Sequence, residues 1–288
     1  MGYEQHNRMG DYVSDNPEIG KQVDVGGIGT NYIEAGQGPP LVLIHGSGPG
    51  VTAYANWRGV IPAFAEHFHC YAPDMVGFGY TDCPAEIAEF TLDVWVGHIL
   101  GFLDAMGIEK AHFIGNSFGG ALTLALATRH PDRVGHIVLM GAAGLPFPIT
   151  KGLLDVWGYE PSMETMRGLM HTFAHNAGLV TEEIVRSRYE ASIRPGAQEA
   201  YSRLFPEPRQ PKLDRLATSE DALRAMPHQV LAVHGREDVI VPLAQSIKFN
   251  QLIPNSELHI FGGCGHWTQI EKRGRFIALV TPFLKGDA

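Results

Sequence analysis

Cysteine is scarce in this chain, with three among 288 residues. Cys70, Cys83 and Cys264 show neither the pairing of a disulfide framework nor the close spacing of a metal knuckle, so a reducing cytoplasm is the expected compartment. Basic charge is also in short supply. Twenty-two Lys and Arg against 31 Asp and Glu leave a formal charge of -9, and without a basic run there is no surface suited to nucleic acid. No stretch is long and apolar enough to span a bilayer, which excludes an integral membrane protein built of helices. The first twenty residues lack the basic start and apolar run of a secretion signal and read as a mobile lead-in. Carboxylates and histidines do not gather at metal-ligand spacing, so neither a metal nor a cofactor is expected.

What is present is an ordinary core-forming composition, 44% apolar and 18% charged, in a chain long enough for one catalytic core with an insertion. Short β-rich runs alternate with helical stretches: LVLIHG from Leu41, HCYAPD from His69, AHFIGN from Ala111, HIVLMGA from His136, QVLAVHG from Gln229 and ELHIF from Glu257. That alternation predicts an α/β fold with a mainly parallel sheet covered by helices on both faces. Residues 22–34, broken at GGIG, read as an edge hairpin. Apolar residues at Leu92, Trp95, Ile99, Phe102 and Met106 form a helical stripe closed by Gly107. Between about Pro146 and Pro211 strand-like runs disappear. Helical spacings such as Met163, Met166 and Met170, behind a cap at Ser162, take their place and read as packing. The division is therefore a core of 1–145 and 212–288 with a helical cap over 146–211. FPEPRQP, with three prolines, reads as an extended linker back to the core.

The sharpest motif is Gly115-Asn116-Ser117-Phe118-Gly119-Gly120, a G-x-S-x-G set between an apolar strand and a helix. A sharp strand-to-helix turn strains the serine backbone and needs small neighbours, which Gly115 and Gly119 supply. The serine oxygen then projects above the sheet, and the amide of Phe118 at the helix start can hold an oxyanion. A serine hydroxyl is a poor nucleophile at neutral pH and needs a base with an orienting carboxylate. Asp238 follows the strand QVLAVHG and His266 follows ELHIF, so both stand just beyond strand carboxyl ends. Glu237 is the rival acid, but Asp238 lies at the better position before a short run to proline. His45 precedes a loop, HGSGPG, whose glycines let amides turn toward the site; the second oxyanion donor is assigned to the Ser47 amide, with Gly48 the alternative. The spacing is not that of a dinucleotide loop. Asp74, in the Gly-punctuated loop DMVGFGYTD, reads as structural.

Together these segments, with GCGHWTQIE, resemble the α/β-hydrolase family over nearly the whole chain. More narrowly, HGSGPGVTAYANW, GNSFGGAL, LMGAAG, VWGY, RYEAS and FPEPRQ look like the meta-cleavage product hydrolases of bacterial aromatic degradation, closest to those for 2-hydroxymuconic semialdehyde and 2-hydroxy-6-oxo-2,4-dienoates of monocyclic pathways. The resemblance implies hydrolysis of a carbon–carbon bond in a vinylogous 1,5-diketone bearing a carboxylate. It implies further that Arg188 binds the carboxylate, that Asn56 and Asn116 contact the dienoate, that Trp157 and Trp267 line the pocket, and that Leu213 and Val241 line its distal half. A homo-oligomer is also implied.

The bland reading of Arg188 is an exposed helix ion pair. A carboxylesterase using the same triad is the nearest rival function, and a non-enzymatic ligand receptor on the same fold is a second. A cap arginine suits a carboxylate-bearing substrate better than a neutral ester.

Overall fold

The apolar runs form one eight-stranded sheet in the computed structural model, which describes residues 16–287. The strands are β1 (Lys21–Val25), β2 (Ile28–Ala35), β3 (Pro40–Ile44), β4 (His69–Pro73), β5 (Ala111–Asn116), β6 (Val134–Met140), β7 (Val230–Gly235) and β8 (Ser256–Phe261). Their spatial order is β1-β2-β4-β3-β5-β6-β7-β8. β1 and β2 form the expected hairpin, β2 joins β4 antiparallel, and β3 to β8 run parallel. The middle strands are buried along almost their whole length, which is why they read as unbroken apolar runs: helices cover both of their faces.

Register decides what meets at the carboxyl edge. Ile44 pairs with Gly115, so the loops after β3 and β5 emerge side by side. Gly235 pairs with Phe261, so the loops after β7 and β8 do the same. The chain passes from β3 to β4 on one side and returns to β5 on the other, leaving a crevice at this switch in strand order.

The helix Leu92–Ala105 starts at Thr91, whose side chain accepts from the Val94 amide, and buries the predicted stripe of Leu92, Trp95, Ile99 and Phe102. Between β6 and β7 come helices Lys151–Trp157, Met163–Phe173, Glu182–Ser192, Ala197–Leu204 and Arg209–Asp214. Ser162 and Thr165 form a reciprocal capping box, and Met166 and Met170 are buried as packing. One expectation fails here. FPEPRQP is not an extended linker throughout, because Arg209–Asp214 is helical. Pro208 sits at the N-cap in extended conformation and Pro211 falls in the first turn, where a missing N–H costs nothing. The reading of a mobile lead-in lies outside the described residues as far as residue 15. Glu18 and Gly20 are tied down by Asn31, whose side chain accepts from the Gly20 amide and donates to the Glu18 carbonyl.

Candidate active site

Ser117 is the one non-glycine residue with positive φ among the described residues, at φ 54 and ψ -114. The turn closes because its neighbours have no side chains. A Cβ on Gly115 would lie 2.5 Å from the Gly119 carbonyl, one on Gly119 2.4 Å from the Ile44 carbonyl, and one on Gly120 2.3 Å from Ala142 Cβ. The strained backbone is held by four bonds: the Ser117 amide donates to Met140, and its carbonyl accepts from Gly120, Ala121 and Ala143. The Ser117 hydroxyl has no partner among the described residues and lies on the wall of a cavity of about 550 Å³.

His266 lies on the same wall and is almost fully buried. Its Nδ1 is 2.7 Å from Asp238 Oδ2, which leaves Nε2 as the nitrogen for proton transfer. The loop after β7 wraps Asp238 with donors: Oδ1 accepts from the amides of Ile240 at 2.8 Å and Val241 at 3.0 Å. Burial alone would push this carboxyl up, but the adjacent His266 and the hydrogen bonds of His234 and His266 hold it well below the usual carboxylate range. Asp238 therefore stays ionised and keeps the imidazole in the tautomer a general base requires. Glu237 is spent elsewhere, accepting from the Cys264 amide and Arg236.

The loop after β3 and the helix start at Phe118 are equally fixed. Ser47 is buried, its hydroxyl accepting from Trp157 Nε1 at 2.9 Å and its carbonyl from the Tyr201 hydroxyl at 2.9 Å. Its own amide has no acceptor among the described residues. The Phe118 amide opens the helix Phe118–Arg129, where first-turn N–H groups lack intrahelical partners. Gly48 lies against Phe173, also on the wall. Both ring nitrogens of His45 are engaged by neighbouring backbone: Nδ1 meets the Gly46 carbonyl at 2.6 Å and Nε2 accepts from the Met75 amide at 3.0 Å. Asp74 is structural as expected, accepting from the Ala53 and Tyr80 amides and from Asn31.

A model of the α/β-hydrolase fold matches residues 39–273. The chain is 54% identical over 269 residues to a 2-hydroxymuconate semialdehyde hydrolase of Pseudomonas sp. (strain CF600), covering 93% of this chain and 95% of that protein. It belongs to the α/β-hydrolase family, among the meta-cleavage product hydrolases. A 2-hydroxy-6-oxo-2,4-heptadienoate hydrolase of Pseudomonas putida F1 is 52% identical over 272 residues, 94% of this hydrolase and 98% of the relative. Among solved structures, a mutant meta-cleavage product hydrolase from Pseudomonas fluorescens IP01 complexed with acetates superposes with a TM-score of 0.93 at 53% identity, covering 95% of this chain and all of that one.

The remaining expected residues of this hydrolase divide. Asn56, Asn116, Arg188 and Trp267 all line the cavity. Asn116 is anchored to the Met140 carbonyl at 3.2 Å, and Trp267 stacks on Phe173 with ring centroids 4.9 Å apart. Arg188 is bound on arrival: its guanidinium donates to the Gly50 carbonyl, to Ser187 and to the buried carboxylate of Glu18. Three residues do not line the cavity. Trp157 is buried, stacked flat on Phe205 at 4.2 Å, with its Nε1 donating to the Ser47 hydroxyl. Leu213 is packed into the core. Val241 is also core, and its neighbour Ile240 lines the cavity instead; the Asp238 side chain accepts from the amides of both, which holds this turn in place. His234 was not anticipated. Its Nε2 lies 3.0 Å from the Val241 carbonyl and 3.3 Å from Asp238 Oδ2, and its Nδ1 2.7 Å from Ser246 Oγ.

Proposed function

We propose that this enzyme hydrolyses the carbon–carbon bond of a 2-hydroxy-6-oxo-2,4-dienoate with a small C6 substituent, giving 2-hydroxypenta-2,4-dienoate and a carboxylic acid. The observation that carries the reading is a free serine hydroxyl at a strained elbow, sharing one cavity with an Asp238-bound imidazole and with the arginine of the cap. The dienol first ketonises, so that the electrons released from the breaking C5–C6 bond delocalise into the 2-keto acid. Ser117 then adds to the C6 carbonyl while His266 Nε2 takes its proton, and the amides of Ser47 and Phe118 hold the oxyanion. Collapse expels the dienolate, which takes up the proton held by His266 as the 2-hydroxydienoate product forms, and leaves an acyl-enzyme; the imidazole, neutral again, deprotonates water, whose attack releases the acid and returns the proton to Ser117.

Arg188 receives the substrate carboxylate, with Asn56 and Asn116 along the dienoate. Because Glu18 already balances the charge of Arg188, that fork contributes directed N–H groups more than net attraction. Leu153, Val156, Met170, Phe173 and Ile240 form the apolar wall for the C6 substituent.

The test is spectrophotometric. Purified enzyme bleaches the yellow ring-opened products of catechol and 3-methylcatechol, and acts more slowly on that of 2,3-dihydroxybiphenyl. Ser117→Ala lowers kcat by at least about 10⁴-fold. Persistent colour on all three, with p-nitrophenyl acetate still hydrolysed, would overturn the reading in favour of an esterase.

A further inference from the structure

Four charged side chains besides the catalytic imidazole line the cavity: Arg58, Glu183, Arg188 and Arg273. Their states differ. Arg188 is neutralised by Glu18, and Glu183 is exposed on the cap helix. Arg58 and Arg273 are exposed guanidinium groups with no acidic partner among the described residues; Arg58 only leans over the Tyr54 ring, 5.9 Å from its centroid. The two converge although they are far apart in sequence. Gly59, next to Arg58, has no side chain, and a Cβ there would lie 3.8 Å from Arg273 Cδ, so the Arg273 stem passes over the Arg58-Gly59 turn. The nearest acid in sequence, Glu271, is occupied by the amides of Gly265 and Asn176. Two uncompensated cations thus share one stretch of cavity wall on a molecule whose formal charge is -9.

We propose that Arg58 and Arg273 form an entry port that selects and steers anionic, carboxylate-bearing substrates into the cavity. The inference rests on the reading of a carboxylate-bearing substrate. With Arg188 neutralised, the cavity wall carries Arg58 and Arg273 against Glu183, an excess of positive charge; such a field is focused where walls of low dielectric exclude water, and can raise association rates by about tenfold or more at low salt. The molecule as a whole repels an anion, so a locally positive wall is what lets one in. Arg188, already paired, can orient a bound carboxylate but adds little to this long-range field.

The experiment compares two p-nitrophenyl esters of similar size, one neutral (butyrate) and one anionic (the succinate half-ester), at low and high ionic strength, about 10 mM and 500 mM. The quantity read is the ratio of kcat/KM for the anionic ester to that for the neutral one. In the wild type this ratio falls as salt rises. In the double variant Arg58→Gln/Arg273→Gln it falls about fivefold at low salt and loses its salt dependence. Arg58→Lys/Arg273→Lys, which keeps the charge, restores most of it. A wild-type ratio that rises with salt, as the net charge alone dictates, overturns the port, and so does a glutamine variant with an unaltered ratio. Because the esters do not require carbon–carbon cleavage, failure to bleach the dienoates with this ester pattern intact rejects the proposed function and leaves the port standing.

Discussion

At the residue scale, Asp238 is held by four donors, two amides on Oδ1 and two histidines on Oδ2, and the less obvious histidine has a fixed role. His234 Nε2 faces only acceptors, the Val241 carbonyl and Asp238, so it carries the proton; Nδ1 then accepts from the Ser246 hydroxyl. His234 is thereby a positioning residue that acts through Asp238. His234→Phe removes one donor and leaves the carboxylate less firmly oriented toward His266. The expected outcome is a kcat lowered about tenfold with KM little changed. His234→Gln, which retains an N–H, recovers most of the loss. A glutamine variant no better than the phenylalanine one would reduce His234 to packing. That Ser117, Asp238 and His266 stand at the carboxyl edge of the sheet was legible in the sequence, because each follows a recognisable strand. His234 was not, because a histidine inside an apolar run looks like core until a register is known. Trp157, Leu213 and Val241 show the same limit: a pattern marks a buried residue, but which cavity face it meets depends on one residue of phase in a loop.

Among the elements, the middle of the sheet was readable, since mainly apolar runs of five to seven residues have few alternatives once helices must cover both faces. The cap was readable as helical but not in its ends. Proline at a first helical turn and proline in a linker look alike in sequence, and the structure chose the helix at Arg209–Asp214. The start at Ser162 was better marked, and it can be tested. Its hydroxyl accepts from the Thr165 amide at 3.0 Å while Thr165 Oγ1 accepts from the Ser162 amide at 3.1 Å. Ser162→Ala removes one half of this box at a partly exposed helix end and should cost about 1 kcal/mol. Hydrogen exchange localises the loss to the first turn of Met163–Phe173, which also carries Met170 and Phe173 to the cavity wall. A loss spread evenly over the sheet would mean that cap and core unfold as one unit.

For the whole molecule, buried neutral histidines set the response to acid. His45 is held as a single neutral tautomer between the Gly46 carbonyl and the Met75 amide, and protonating Nε2 would set N–H against N–H, so burial drives it down to about 4. His98, packed between Thr30 and the Val76 amide, is also pushed down to about 4 by burial. Each takes up a proton on unfolding when the pH lies between about 4 and 6.5, and so withdraws stability as the solution is acidified. Asp74 opposes them. Burial raises it to about 6 despite its three donors, so it releases a proton on unfolding between 3.8 and about 6 and favours the folded state on the acid side. With two protons taken up and one released, the net uptake of one proton near pH 5 corresponds to about 1.4 kcal/mol of stability lost per pH unit. His112, less deeply buried and also pushed down to about 4, adds to the slope. Urea unfolding at pH 7 and pH 5 reads this directly: the midpoint falls on acidification, and Asp74→Asn steepens the fall because the opposing group is gone. A midpoint that holds or rises toward pH 5 would mean that these histidines gain access to water before the fold is lost.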